Sequence, residues 1–490
     1  MYKLSDLIEN INYKASISLD GVCVNGICAD SRAVLPGNVF FCIKGGKSDG
    51  ADYIKEAIRR GARVVICENG CETYGAPTVT VENTRSAYAI ALSSLHGRPA
   101  KKLKIIAITG TNGKTTVSKM IQNALQESGK RCAIIGTLGA SFEGKSTSLS
   151  TMTTPDPEVL YALLAQYVSE GAEYVVMEAS SHALALGKLD GIDFEIGAIT
   201  NLTAEHLDFH GNMESYYAAK SSLFDKCKKG VFLCDDYYTV KMHAEAKCKR
   251  VSCSVTNKSC EFHAENIAYS FENGTQFTVM GKKPLTLHCE IPAEFTVSNA
   301  LLACTVLREL GIPDADIYKG IASLGGVEGR MERIETGRDF SIFIDFAHTP
   351  DALARLLTSV RKIKGEGERI ITLFGCGGDR DKSKRSLMGA VASRLSDFVV
   401  ITADNSRSEN TESIIDEIMT GFDKTCPHIR IDDRKSAIEY AVMNAGRGDI
   451  ILLCGKGHEK YEIDKRGIRP FSERAVVKKA LADRKKTEGK

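Results

Sequence analysis

The 490-residue sequence has no C-x-x-C pair, almost no net charge and no long apolar run, and each absence argues against a class of protein. Its 16 cysteines stand singly along the chain. Structural zinc sites favour tight cysteine pairs. Cys67 with Cys71, or Cys248 with Cys253 and Cys260, come nearest to a ligand set. Reduced, mostly buried thiols are the better reading. Lys and Arg number 64 against 62 Asp and Glu, a formal net charge of +2. That balance gives no reason to expect a nucleic-acid partner, while a local basic pocket for phosphates stays open. No stretch approaches the ~18 continuous apolar residues of a membrane span. Met1 to Asn10 carries acids and no apolar segment, so no signal peptide is expected there and a cytoplasmic location is.

What is present is a globular composition, 43% hydrophobic and 26% charged. The length suggests roughly two to four domains. A first block ends near His96-Gly97-Arg98-Pro99, where Gly and Pro interrupt regular structure. Lys104 to Thr109 then reads as a buried strand, because β-branched residues dominate it. A helix is predicted from Lys114, with Val117, Met120, Ile121 and Leu125 on one face and Gly129 capping its end. Further strands are predicted at Tyr174–Met177, Ile196–Thr200, Ile342–Phe346, Ile370–Phe374, Phe398–Thr402 and Ile450–Cys454, mostly separated by helices. Such alternation implies an α/β fold with parallel sheets and ligands at the strand C-termini. The Gly-rich segment from Gly325 to Arg330 marks a second boundary, and the polar end from Arg484 to Lys490 is expected to fray.

Between the predicted strand and helix lie Gly110, Thr111, Asn112, Gly113, Lys114, Thr115 and Thr116. This is the setting of a P-loop: glycines let backbone N–H groups face phosphate oxygens, and the helix N-terminus adds a favourable dipole. Lys114 would reach the β- and γ-phosphates of ATP, and Thr115 would ligate Mg²⁺. The strict pattern has Gly where Ile108 stands, so the loop is a variant. A P-loop names a nucleotide but does not separate a kinase, motor, switch or ligase. Glu178 follows one predicted strand and can hold a cation beside the loop. His206 follows another and is a plausible ligand, although a lone His there is more often structural. Lys220 reads on composition as a solvated helix lysine.

Together, Gly110–Thr116, Glu178–His182, His206–His210 and Lys220 closely resemble the Mur ligase family. The resemblance continues through Asp30-Ser31-Arg32, Pro36-Gly37 and Asp49-Gly50 near the start. Near the end it continues through Phe374 to Lys382 and Gly455-Lys456-Gly457-His458-Glu459. It spans essentially the whole chain. It implies three domains: a nucleotide-sugar domain at 1–101, a central P-loop parallel-sheet ATPase domain at 102–329, and a Rossmann-like amino-acid domain at 330–490. The implied reaction is amide ligation in peptidoglycan synthesis: ATP phosphorylates a substrate carboxylate, and an amine attacks the acyl phosphate. ATP is the implied co-substrate, Mg²⁺ the implied metal, and a monomer the expected state.

Site residues follow from the same resemblance. Thr115, Glu178, His206 and Lys220, the last as its N6-carboxy (carbamate) form, would hold metal, with Lys114 completing the catalytic set. Asn299, Arg330 and Asp345 would contact ATP, with His348 beside them. Ala29, Ser31, Gly46, Lys47 and Ser48 would bind uridine diphosphate, and Thr153, Thr154, Ser180 and Lys188 the muramoyl peptide. Arg380, Asp404, Asn405, Ser406, Arg407, Gly455 and Glu459 would bind the incoming amino acid. Arg407 implies meso-diaminopimelate rather than lysine, because a guanidinium can grip the extra carboxylate bidentately and would repel a bare ammonium. Four positions depart from the family's common pattern: Lys188 for Arg, Met152 for Asn, Leu186 for Gln, and Ser406 for a Pro that would stiffen its loop. The competing readings are the same ligation with lysine or another diamino acid, a relative with a different acceptor such as a folylpolyglutamate synthetase, a P-loop switch or motor, and an inactive scaffold. The motif residues of the first block and Thr153–Thr154 oppose a different acceptor. Lys220 and Arg407 are superfluous to a motor. The intact Lys114, Glu178, His206 and Lys220 oppose a scaffold.

Overall fold

The computed structural model describes residues 1–46, 48–147 and 152–488, without the side chains of 487 and 488. Among these residues the strands form three large sheets and two small antiparallel pairs. The first large sheet runs in the order Tyr13–Ala15, Thr78–Val81, Val64–Cys67, Asn38–Phe41, Gly26–Cys28. It is parallel except at the Tyr13–Ala15 edge.

The central sheet has eleven strands. Its parallel part follows the order Cys132–Gly136, Tyr174–Glu178, Lys104–Thr109, Phe194–Ile199, Cys227–Leu233, Lys249–Ser254, Phe262–Ser270. Ile105, Ile106, Ala107 and Ile108 are fully buried, as a strand covered on both faces requires. Each buried Ile contributes roughly 1.5–3 kcal/mol relative to exposure. Ile108 thus belongs to the strand, and the phosphate loop begins only after Thr109. The sheet is mixed rather than wholly parallel: Gly139–Phe142 and Lys145–Thr147 extend one edge, Gly274–Met280 and Leu285–Cys289 the other, all antiparallel. These strands escape a search for continuous apolar runs, because Phe262–Ser270 and its neighbours mix buried with half-buried or exposed positions.

The third sheet runs Glu332–Ile334, Ser341–Asp345, Ile450–Cys454, Ile370–Phe374, Phe398–Ile401, His428–Arg430, and is parallel apart from its first strand. Helix Lys114–Glu127 buries Val117, Met120, Ile121 and Leu125 as its spacing predicts, and Gly129 follows it at φ +73°. The C-terminal segment does not fray at Arg484. The helix Glu473–Glu488 passes through it, and Arg484 Nη1 donates to the Val442 carbonyl at 2.7 Å. No helix among the described residues is long and apolar enough to cross a membrane.

Candidate active site

Strand order determines what the site contains. Lys104–Thr109 lies between Tyr174–Glu178 and Phe194–Ile199, with Ile108 opposite Glu178 and Thr109 opposite Ile199. Three strand ends therefore present the phosphate loop, Glu178 and Thr200-Asn201 side by side. Gly110 takes φ +133°, and a Cβ there would collide with Thr200, so only glycine permits the turn. Gly113, at φ +89°, packs against Asn299 of helix Glu294–Glu309, and a Cβ there would collide with the Asn299 amide. The Lys114 ammonium donates to the Gly110 and Thr111 carbonyls at 2.9 Å each. Burial pushes its pKa down. Thr111 Oγ1 bonds the Tyr216 hydroxyl at 3.1 Å, and Asn112 N donates to Asn201 Oδ1 at 3.0 Å. Thr116 is buried in the first turn of the helix.

Glu178 is 1% exposed, and its carboxylate accepts from Thr115 Oγ1 at 3.1 Å, Thr137 N at 2.9 Å and Thr137 Oγ1 at 2.9 Å. Thr115 and Glu178 therefore put two hard oxygen donors in contact beside the phosphate loop. That suits Mg²⁺, which binds through one or two protein oxygens and leaves its other positions to water and phosphate. Lys220 lies on helix Met213–Ser221, is 1% exposed, and donates from Nζ to the Gly110 carbonyl at 2.8 Å. Burial, with Lys114 adding repulsion, drives its pKa well below that of an ordinary lysine. It is not the solvated lysine that composition suggests. His206 sits at φ +55°, its ring 4.8 Å from that of His182. Desolvation lowers the His206 pKa to about 4, although nearly half of its side chain meets solvent. Among the described residues no group of three or more His, Cys, Asp or Glu side chains could hold a metal ion.

Glu205 was not among the residues singled out from sequence. Burial raises its pKa, but His206, His348, Lys114 and Lys220 outweigh that and hold the carboxyl below its usual range. Its Oε1 lies 4.0 Å from His348 Nε2, across the gap to the third sheet. Arg330 crosses the same gap: its Nη2 is 3.5 Å from Thr115 Oγ1 and its guanidinium stacks 4.7 Å from the Phe346 ring centre. Asp345, its pKa raised by burial, accepts from Met331 N at 2.7 Å and Ala347 N at 2.8 Å. Asp351 Oδ2 accepts from Asn112 Nδ2 and Thr203 Oγ1 at 3.0 Å each, a second contact that sequence reading missed. Its place in the first turn of helix Pro350–Ile363 reads in sequence only as a helix start.

On the other side of Glu178, Thr154 Oγ1 donates to the Glu178 carbonyl at 2.8 Å and Ser180 N donates to Thr154 Oγ1 at 3.0 Å. Thr153 Oγ1 lies 3.1 Å from Thr137 Oγ1. Lys188 pairs with Asp156 at 2.7 Å and approaches Met152 Sδ at 3.6 Å, so two of the departures from the family pattern touch each other. Ala29 is half-buried and Ser31 buried at a short 3-10 turn capped by Asp30. Gly46 and Ser48 lie in the turn closed by Gly45 N donating to the Ser48 carbonyl at 2.7 Å; Lys47 lies outside the described residues.

The amino-acid residues gather at the C-terminal ends of the third sheet. Asn405 organises them: its Nδ2 donates to Glu459 Oε2 at 2.8 Å, and its Oδ1 accepts from Lys456 Nζ at 2.9 Å and Ile463 N at 3.0 Å. Both ends of that amide are thus engaged within the protein. Lys456, fully buried, is a further residue the sequence reading missed. Burial, then the neighbouring Asp404 charge, raises the Glu459 pKa. Gly455, at φ +112°, packs against Asp404. Arg407 takes φ +52° and donates from Nη1 to the Gly378 carbonyl at 2.8 Å. Arg380 is exposed beside it, both near Gly377. Ser406 is buried without proline's ring constraint; its carbonyl accepts from Glu409 N at 3.0 Å, and Arg407 N donates to the Ile463 carbonyl at 3.0 Å. Hydrogen bonds therefore hold this loop where a pyrrolidine would otherwise stiffen it.

Family models match the chain in three consecutive segments. They are the Mur ligase family, catalytic domain, at 24–107; the Mur ligase middle domain at 108–307; and the Mur ligase, glutamate ligase domain, at 329–457. The UDP-N-acetylmuramoyl-L-alanyl-D-glutamate–2,6-diaminopimelate ligase of Caldanaerobacter subterraneus subsp. tengcongensis is 41% identical across 99% of this chain and 100% of its own. The protein of the same name from Syntrophomonas wolfei is 38% identical across 98% and 99%. A solved structure of a ligase so named aligns at TM-score 0.71 and 30% identity, covering 96% of this chain and 97% of the other. MurF ligase from Thermotoga maritima in complex with ADP aligns at TM-score 0.58 and 19% identity over 96% and 99%, a likeness of fold alone. With a phosphate loop at the gap between the central and third sheets and relatives that match the chain end to end, the chain belongs to the Mur ligase family.

Proposed function

We propose that this chain joins meso-2,6-diaminopimelate to the D-Glu carboxylate of UDP-N-acetylmuramoyl-L-alanyl-D-glutamate, releasing ADP and phosphate, as a cytoplasmic step of peptidoglycan precursor synthesis. The observation that carries the amino-acid choice is Arg407, which shares one pocket wall with Glu459 through Asn405. A guanidinium and a carboxylate suit the two charges at the distal end of diaminopimelate, whereas lysine offers only the ammonium.

The central difficulty is anion crowding. Two like charges ~4 Å apart repel by about 4 kcal/mol at an effective dielectric of ~20. Lys114 and Arg330 converge on the phosphate loop from two sheets and offset that repulsion. Thr115 and Glu178 would hold Mg²⁺ on the ATP phosphates, and Glu178, His206 and carboxylated Lys220 a second ion, supplying charge neutralisation to the phosphoryl and carboxylate oxygens. Lys220 is suited to that modification because burial favours its neutral amine. The neutral amine's lone pair attacks the carbon of carbon dioxide, an N–C bond forms as one C=O π bond opens, and one proton leaves the nitrogen, so a neutral amine becomes a carbamate anion. Thr153, Thr154, Ser180 and Lys188 line the approach of the muramoyl peptide to Glu178, and Ala29, Ser31, Gly46, Lys47 and Ser48 would take the uridine diphosphate. The carboxylate then attacks the γ-phosphorus, and the diaminopimelate amine displaces phosphate from the acyl phosphate.

The test is purified protein with ATP, magnesium and the nucleotide dipeptide, offered meso-diaminopimelate, lysine or ornithine, reading phosphate release and product mass. Tripeptide is expected with diaminopimelate at a kcat/KM roughly a hundredfold above lysine. Equal turnover of lysine would overturn the amino-acid assignment, and no product with any amine would overturn the ligase assignment.

A further inference from the structure

We infer that Asp379 is a positioning residue for amino-acid selection, acting by locking the loop that carries Arg380 to the loop that carries Arg407. This deepens the diaminopimelate reading and rests on it. The two loops follow different strands, Ile370–Phe374 and Phe398–Ile401, and nothing in the sheet alone sets the spacing of their tips. The tips are tied side chain to backbone. Asp379 Oδ1 accepts from Ser408 Oγ at 2.6 Å, and Oδ2 accepts from Ser408 N at 3.1 Å. In return Asp379 N donates to Glu409 Oε1 at 2.6 Å. Gly378 N donates to the Asn405 carbonyl at 2.9 Å. Beneath them Arg385, fully buried, donates to the Gly377 carbonyl at 3.0 Å and to both Glu409 oxygens at 2.9 Å.

The clamp holds two strained residues. Asp379 sits at φ +53° and Arg407 at φ +52°, where non-glycine residues stay only when their surroundings hold them. Asp379 and Ser408 adjoin Arg380 and Arg407 in sequence, so the clamp bonds fix the spacing of the backbone from which the two guanidinium groups extend, with Gly377 lying near both side chains. A carboxylate gripped by such groups needs that separation to be preset, because bidentate geometry tolerates little displacement. Asp379 itself touches no reacting atom; it works through its neighbours.

The experiment compares wild type with Asp379→Asn and Ser408→Ala, measuring KM for diaminopimelate, ATP and the nucleotide dipeptide separately, with kcat and melting temperature. Asp379→Asn keeps the shape but replaces one accepting oxygen with a donor facing Ser408. Its expected effect is a roughly tenfold rise in KM for diaminopimelate, with kcat and the other two KM values within about twofold. Ser408→Ala, which removes only the hydroxyl bond and serves if the first variant folds poorly, is expected to raise the same KM about threefold. An unchanged diaminopimelate KM in both variants, or an equal rise for all three substrates, would overturn the inference. Failure of the wild type itself to use diaminopimelate would instead overturn the functional reading beneath it.

Discussion

Two residues carry opposite electrostatic tasks. Lys220 is a lysine whose positive charge the fold disfavours, since it is 1% exposed with Lys114 nearby. If its carbamate holds a metal ion as proposed, replacing it with alanine lowers ligation at least about a thousandfold. Short carboxylic acids added to Lys220→Ala should restore part of the rate by standing in for the carbamate. A variant with full unaided activity would remove Lys220 from the mechanism. Arg407 has the reverse role, a permanent charge aimed at one ligand group. Arg407→Ala is expected to raise KM for diaminopimelate by roughly a hundredfold while leaving the ATP KM unchanged. Steady-state kinetics with each substrate varied in turn checks this, and an unaltered diaminopimelate KM would count against the assignment.

At the scale of elements, the amino-acid pocket depends on a carboxylate that binds no substrate. Glu409 is held down to about 2, first by its hydrogen bonds from Arg385 and then by the Asp379 backbone N–H. Its pKa is depressed in the fold, so the unfolded chain takes up the proton first as pH falls below about 4.3. The stabilisation is complete above that value and is lost as pH falls through the folded value. Glu409→Gln should therefore melt lower than wild type at pH 6, by about 2 kcal/mol in stability, with the gap narrowing towards pH 2.5. Thermal melts across that range test it; a gap independent of pH would show that the charge on Glu409 does not matter. The same scale explains which elements were legible. Some parallel strands announce themselves as β-branched runs, and Ile370–Phe374 and Ile450–Cys454 stand at their predicted bounds; others, such as Cys132–Gly136, Cys227–Leu233 and Lys249–Ser254, are equally parallel and are not among the predicted strands. The antiparallel edges of the central sheet do not announce themselves as such runs, because one face meets solvent and their residues mix polar with apolar.

For the whole molecule, the decisive contacts cross between sheets. Asp351 ties helix Pro350–Ile363 to Asn112 in the phosphate loop and to Thr203. Asp351→Ala should lower kcat about tenfold with little change in melting temperature, because two charge-assisted bonds that register the third sheet on the nucleotide site disappear. Single-turnover kinetics with ATP saturating would show it, and an unchanged kcat would mean that the contact does not gate the reaction. By itself the sequence determined the α/β class, the phosphate loop and its helix, and the family, because strand runs, glycine spacing and quoted motifs are local properties. It also pointed to Glu178 and His206 from their places after predicted strands, and to Lys220 and Arg407 through likeness to a family. Tertiary structure alone decided that Lys220 is buried against the Gly110 carbonyl, that Thr137, Glu205, Asp351 and Lys456 enter the site, and that Ser406 needs no proline ring to be held. Burial and charge proximity depend on which distant segments a strand order brings together, and no window of neighbouring residues encodes that.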